Sequence, residues 1–258
     1  MRLMKRILSA AAVLALSAPL LVGCSSGTAS SVPVSASSAA ESTVSSVEET
    51  ASSAVDENEA AAAQLLNDLT GSYQELWPVI LADEYKQTWL DDCTALVGED
   101  NAEAAFEKLS SMVTGDVYGE DAVKAYANGG GAYFCGFTNS LATLTFDGET
   151  STISGTDKDG NVLFSHTYHY IGMEPVRGLY EFQSDDADSG EFTYFFLAPD
   201  TSAETYHIEF RYGSDAEALS QYDTGEYAYW LASGISTDYD QTMIENCIEL
   251  FCTENLSA

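Results

Sequence analysis

The spacing of apolar residues changes character near Gly131. Before that point they recur at three- and four-residue steps. Phe106, Leu109 and Val113 line one face of a helix predicted over residues 102–113, with Glu103, Glu107 and Lys108 on the other side. A shorter helix is predicted over residues 121–127 and stops at Gly129-Gly130-Gly131. Upstream, residues 66–85 pass from Gly71 through a short aromatic run to Pro78, a residue suited to the first turn of a helix.

Beyond Gly131 the period falls to two. Strands are predicted over residues 141–146, 162–170 and 179–182, with turn signals at Asp147-Gly148, Asp159-Gly160 and Glu174-Pro175. After a polar stretch at residues 185–190, residues 191–213 read as two strands about a turn. Phe192, Tyr194 and Phe196 alternate with Thr193, Phe195 and Leu197; Tyr206, Ile208, Phe210 and Tyr212 alternate with His207, Glu209 and Arg211. Residues 198–202 supply the turn, and Pro199 cannot donate to a ladder. Consecutive strands at this spacing predict a mainly β fold, an antiparallel barrel or sandwich with helices before and after it. In the tail, a short helix is predicted over residues 215–222. Thr237-Asp238-Tyr239-Asp240 then reads as a capping signal for a helix whose Met243, Cys247, Leu250 and Phe251 face the barrel.

Residues 1–24 stand outside this pattern. Arg2, Lys5 and Arg6 precede an apolar run too short for a comfortable membrane span. The run ends on Leu21-Val22-Gly23-Cys24, which resembles the lipobox of bacterial lipoproteins; the resemblance implies that Cys24 becomes a lipid-modified first residue. Residues 25–61 are rich in Ser, Ala, Val, Thr and Glu and contain no aromatic residue. Such a segment cannot bury enough surface to offset chain entropy, so it is expected to be a tether, reaching roughly 30–35 Å as a random coil. Residues 62–258 are expected to form one domain with a full core.

Charge narrows the partners. The formal net charge is −32, and loss of residues 1–24 removes three basic residues and no acidic one, giving −35. Nucleic acid and anionic headgroups are therefore poor partners, and cations good ones. With Cys24 assigned to lipid, Cys93, Cys135, Cys247 and Cys252 remain, an even number suited to an oxidising compartment. Three pairings are open; Cys247 and Cys252 lie about 140° apart around one helix and are poorly placed for each other. No Cys-x-x-Cys spacing points to a thiolate zinc site.

His207 and Glu209 lie two residues apart on one strand, so both side chains leave the same face about 7 Å apart. Two such donors can meet on one ion, and an ordinary polar strand face has the same spacing. His166 and His169 are three apart and face opposite sides of a strand, so at most one could add a third donor. Asp157-Lys158-Asp159-Gly160 begins like a calcium loop, but Tyr168 stands where the twelfth-position glutamate belongs, and a hairpin turn is expected instead. No nucleophile elbow or Ser–His–Asp order supports an enzyme.

The order of pieces resembles a known family. Residues 66–78, LNDLTGSYQELWP, are similar to its opening L-x-D-W-x-G-x-W-x-S-x-Y-P; Asp157-Lys158-Asp159-Gly160 resembles its Y-D-Y-D-G turn; residues 191–199, EFTYFFLAP, resemble Q-F-S-D-H-x-I-A-P; and residues 207–213, HIEFRYG, resemble H-F-H-I-F-x-G. The family is the ZinT (YodA-type) metal-binding domain. The resemblance implies a lipocalin/calycin-like antiparallel β-barrel, a zinc or similar divalent cation as cofactor, and three histidine ligands. Of these, the first falls on His207, the second on Glu209 and the third on Phe195, which cannot ligate; a shifted gap would put Thr205 and His207 on the first two positions instead. Replacing Phe195 with histidine is then expected to restore the site.

Two readings follow. One is a lipid-anchored extracytoplasmic protein with a degenerate metal site at His207 and Glu209, capturing a divalent metal ion or delivering it to an importer. The other is a metal-free lipocalin-like module for a small ligand or a protein. In both, Cys24 carries the anchor, and Cys24→Ser is expected to move the protein from the membrane to the soluble fraction on cell fractionation. Retention at the membrane would contradict the lipobox.

Overall fold

The computed structural model describes residues 57–199 and 206–257. Cys24, residues 25–56 of the tether and turn residues 200–202 lie outside the described residues. The first element, α1, covers residues 57–68 and so takes in residues 57–61, whose composition reads as tether. Ala62, Leu65, Leu66 and the following Leu69 are buried in the main core, at the three- and four-residue steps of an amphipathic helix.

The elements then run β1 (Gly71–Glu75), α2 (Trp77–Ile80), α3 (Lys86–Val97), α4 (Glu99–Ser111) and α5 (Glu120–Ala127). β2 (Thr143–Asp147), β3 (Thr152–Thr156), β4 (Val162–Met173), β5 (Tyr180–Ser184), β6 (Tyr194–Leu197) and β7 (Ile208–Gly213) follow. A short α6 (Ala216–Leu219), β8 (Ala232–Ser236) and α7 (Gln241–Leu256) complete the order. Each strand pairs antiparallel with its sequence neighbour, and β8 returns to β1, closing the barrel. β4 makes closure workable. Its first half pairs with β3 and its second half with β5, with register shifts between Gly155 and Thr156 and between Tyr170 and Gly172. Bulges of this kind bend a strand and increase its twist.

Large inward side chains need small ones opposite. A Cβ on Gly155 of β3 would come within 2.4 Å of both Leu141 Cδ1 and Phe164 Cε1. This is why β3 (TISGT) and β8 (ASGIS) lack the bulky alternation that marks the other strands in the sequence. Phe192 departs from its predicted strand and ends a 3-10 turn, Gly190–Phe192, ahead of β6. At the β3–β4 turn, Asp157 Oδ1 accepts from Asp159 N and Asn161 N, each at 2.9 Å, which makes it a hairpin turn as expected. Hydrogen bonds from Asn161, side chain then backbone, hold the Asp157 carboxyl below its usual range.

Outside the barrel, α2, α3, α4 and α7 enclose a second core around Trp77, Trp89, Leu109 and Ile248, reaching the barrel at Ile235 of β8. Trp89 Nε1 donates to Ile80 O at 2.8 Å. Asp240 caps α7 by accepting from Met243 N at 2.9 Å. The buried face of α7 is Ile244, Cys247, Ile248 and Cys252, while Met243 and Leu250 are only half-buried. The stripe is thus turned from the predicted one, because the apolar partner of α7 includes the α3 helix and not the barrel alone. Among the described residues no helix is long and apolar enough to cross a membrane.

The seat of α1 on the barrel can be tested at one glycine. A Cβ on Gly148 would lie 2.4 Å from Asn67 Cα and 2.6 Å from Leu66 O, and Gly148 N donates to Thr70 Oγ1 at 3.0 Å. Backbone cannot step aside as a flexible side chain can. Gly148→Ala should therefore cost about 1–3 kcal/mol in urea unfolding, and a loss below about 0.5 kcal/mol would contradict the docked position of α1.

Candidate functional site

The candidate site is built on β7. Phe210 and Tyr212 face the barrel interior with Phe195 of β6, which pairs with Tyr212 in the ladder. Ring centroids lie 5.3 Å apart for Phe195 and Tyr212 and 6.4 Å apart for Phe195 and Phe210. Phe164 at 5.9 Å and Tyr168 at 5.4 Å enclose Phe195 from β4. Phe195 is completely buried.

Polar atoms within this core are matched. The Tyr212 hydroxyl accepts from Thr138 N at 2.6 Å and donates to Thr138 O at 2.9 Å. Burial pushes its pKa up. The Tyr168 hydroxyl donates to Phe192 O. These rings and paired hydroxyls pack against one another on the inward face of the sheet.

Glu209 and Arg211 leave the opposite face of β7, because side chains alternate along a strand. His207 precedes the strand, and its Nε2 lies 4.0 Å from Glu209 Oε1. Tyr206, at φ 66°, accepts from the Cys247 thiol at 3.5 Å, which ties this end of β7 to α7. Glu209 is more exposed than His207, at 43% against 21% of the side chain, so an ion could reach the pair from solvent.

Arg211 does not neutralise Glu209. Its guanidinium donates to the carbonyls of Leu219, Gln221 and Tyr227 and lies 4.4 Å from the centroid of the Tyr222 ring. Arg211 is completely buried there, and desolvation pushes its pKa down to about 10, so it stays cationic at neutral pH. Its role is to hold residues 219–227 against the outer face of β7. Nearby, Glu174 is buried and accepts from Val176 N and Arg177 N at 2.7 Å each.

The other two histidines are engaged elsewhere. His166 Nδ1 lies 2.6 Å from Asp186 Oδ2, and its ring stacks 5.9 Å from Phe164 on the inward side of β4. His169 Nδ1 lies 2.6 Å from Asp185 Oδ1 and is half exposed. The predicted opposition of the two rings is therefore present. Among the described residues no three His, Cys, Asp or Glu side chains are grouped so as to hold a metal ion. Neither histidine thus completes a triad with His207 and Glu209.

This geometry corrects one expectation drawn from the resemblance. Phe195 lies inside the barrel, and His207 and Glu209 lie on the other face of the sheet, so a histidine at 195 would not join them. Phe195→His should instead place a polar ring in an aromatic core at a cost of about 3 kcal/mol, read by urea unfolding, with no gain in zinc affinity. A stable variant that binds zinc more tightly would contradict the assignment of faces.

No protein-family model matches the sequence, and no curated protein matches it at a significant level. Among solved structures, the Zn(II)-bound ZinT-like domain of Streptococcus pneumoniae AdcA is similar at 15% identity and a TM-score of 0.45, over 71% of this chain and 89% of that one. Zn(II)-bound AdcA from Streptococcus pneumoniae is similar at 16% identity and a TM-score of 0.41, over 72% of this chain and 34% of that one.

Proposed function

We propose that this chain is a lipid-anchored extracytoplasmic binding protein, held by Cys24, that takes up a divalent cation such as zinc at His207 and Glu209. Capture of the ion, or its delivery to an importer, is the role that fits such a location. The observation that carries the reading is the 4.0 Å between His207 Nε2 and Glu209 Oε1. Two ligands of one tetrahedral zinc stand roughly 3.3 Å apart at ordinary bond lengths, so a small side-chain rotation brings both onto one ion. The remaining positions would fall to water, and a site with two protein ligands binds more weakly than one with three or four. The strongly negative net charge favours cations in general.

A second reading, a metal-free protein-interaction module, is supported by Phe195, a residue that cannot ligate, standing where the resemblance places a histidine ligand. It predicts no saturable metal binding. The small-ligand form of that reading has less support, since the rings around Phe195 pack against one another inside the barrel.

Calorimetric titration with zinc separates the two. The protein should bind one ion per chain, and binding should weaken on acidification because only neutral imidazole ligates. His207→Ala should lower the affinity tenfold or more, about 1.4 kcal/mol. Diffuse association with an acidic surface would fade with salt and ignore the substitution. That outcome, or no saturable binding, would leave the interaction module as the better account.

A further inference from the structure

Cys93 on α3 and Cys252 on α7 face each other in the helical core, their sulfurs 3.9 Å apart and both side chains completely buried. We infer that these two cysteines form a disulfide bond that joins α3 to α7 when the chain folds under oxidising conditions. Of the pairings open from sequence, this is the one whose sulfurs point at each other. Cys247 instead directs its thiol to Tyr206 O at 3.5 Å, and Cys135 directs its thiol to Tyr133 O at 3.8 Å. A disulfide holds its sulfurs about 2.05 Å apart, and the completed packing of α3 against α7 keeps this pair within 3.9 Å.

The oxidant is a disulfide, either a low-molecular-weight one or a disulfide-bearing oxidase. One cysteine thiolate attacks it and forms a mixed disulfide, releasing one oxidant thiolate. The second cysteine thiolate then displaces the other. The protein loses two electrons and two protons, and the oxidant leaves as two thiols. Burial raises the pKa of both cysteines in the folded core, where they are also shielded from any oxidant. The bond therefore forms before α7 docks. The pair closes a sequence separation of 159 residues, so it restrains the unfolded chain strongly.

The oxidising setting rests on the extracytoplasmic location proposed above, and the experiment keeps the two apart. The full chain is unfolded with reductant, refolded in a buffer of oxidised and reduced glutathione, then denatured, alkylated with iodoacetamide and mapped by mass spectrometry. The expected result is a linked pair of peptides carrying Cys93 and Cys252. Reductant should also lower the melting temperature by about 10 °C and leave Cys93→Ser unaffected. Should that variant not fold, the peptide map decides alone. Alkylation of both Cys93 and Cys252, or a link from either to another cysteine, overturns the pairing. The same map is then made on the chain isolated from cells. A link found in the buffer but absent in cells supports the pairing and counts against the extracytoplasmic location.

Discussion

Strand β7 presents two faces of opposite chemistry, and its register with β6 decides which one enters the barrel. Pairing of Phe195 with Tyr212 sends Phe195, Phe210 and Tyr212 inward together. A slip of one residue would turn Glu209 and Arg211 into the core and Phe210 and Tyr212 out of it. Each large aromatic side chain contributes about 1.5–3 kcal/mol by leaving water, and a buried unpaired charge costs several. Register is therefore fixed strongly here. The same alternation keeps Glu209 out of the barrel interior, and His207, just before the strand, lies beside it.

The outer face of β7 is finished by two different devices. Toward its C-terminal end, Arg211 fastens residues 219–227 through carbonyl hydrogen bonds and the Tyr222 ring. Removing that guanidinium would leave carbonyls without donors, so the arginine positions the cover over the sheet. Toward the N-terminal end, Tyr206 is held to α7 through Cys247, and α7 in turn packs on α3. The His207–Glu209 pair lies at the end held by the helical layer. It therefore sits next to the contact between Tyr206 and α7, the helix that also carries Cys252.

Much of this fold is readable from residues because bulky alternation marks β2, β4, β5, β6 and β7, and Asp215 and Asp240 cap the helices that follow them. What escaped has a physical cause in each case. β3 and β8 are built of small residues because Gly155 and Gly234 give room to Phe164 and Ile208 from the strands beside them. α3 buries only Trp89 and Cys93 completely, too thin a stripe to stand out among its aspartates. α1 is concealed by an alanine-rich composition that continues from the tether. For the site, His207 and Glu209 are two apart in sequence and lie 4.0 Å apart in the structure, although His207 precedes the strand. The relation of that pair to Phe195 needed the β6–β7 register, which no spacing within either strand contains.

Rings of β4, β6 and β7 pack against one another inside the barrel, and the proposed cation site is the outer pair. The sequence holds three histidines, His166, His169 and His207, so a zinc titration followed by NMR of the imidazole and aromatic side-chain signals reads every one. The account predicts that the His207 signals shift saturably while those of Phe195 and Tyr212 keep their positions. Perturbation centred on His166 and the interior rings, with His207 unmoved, would contradict it.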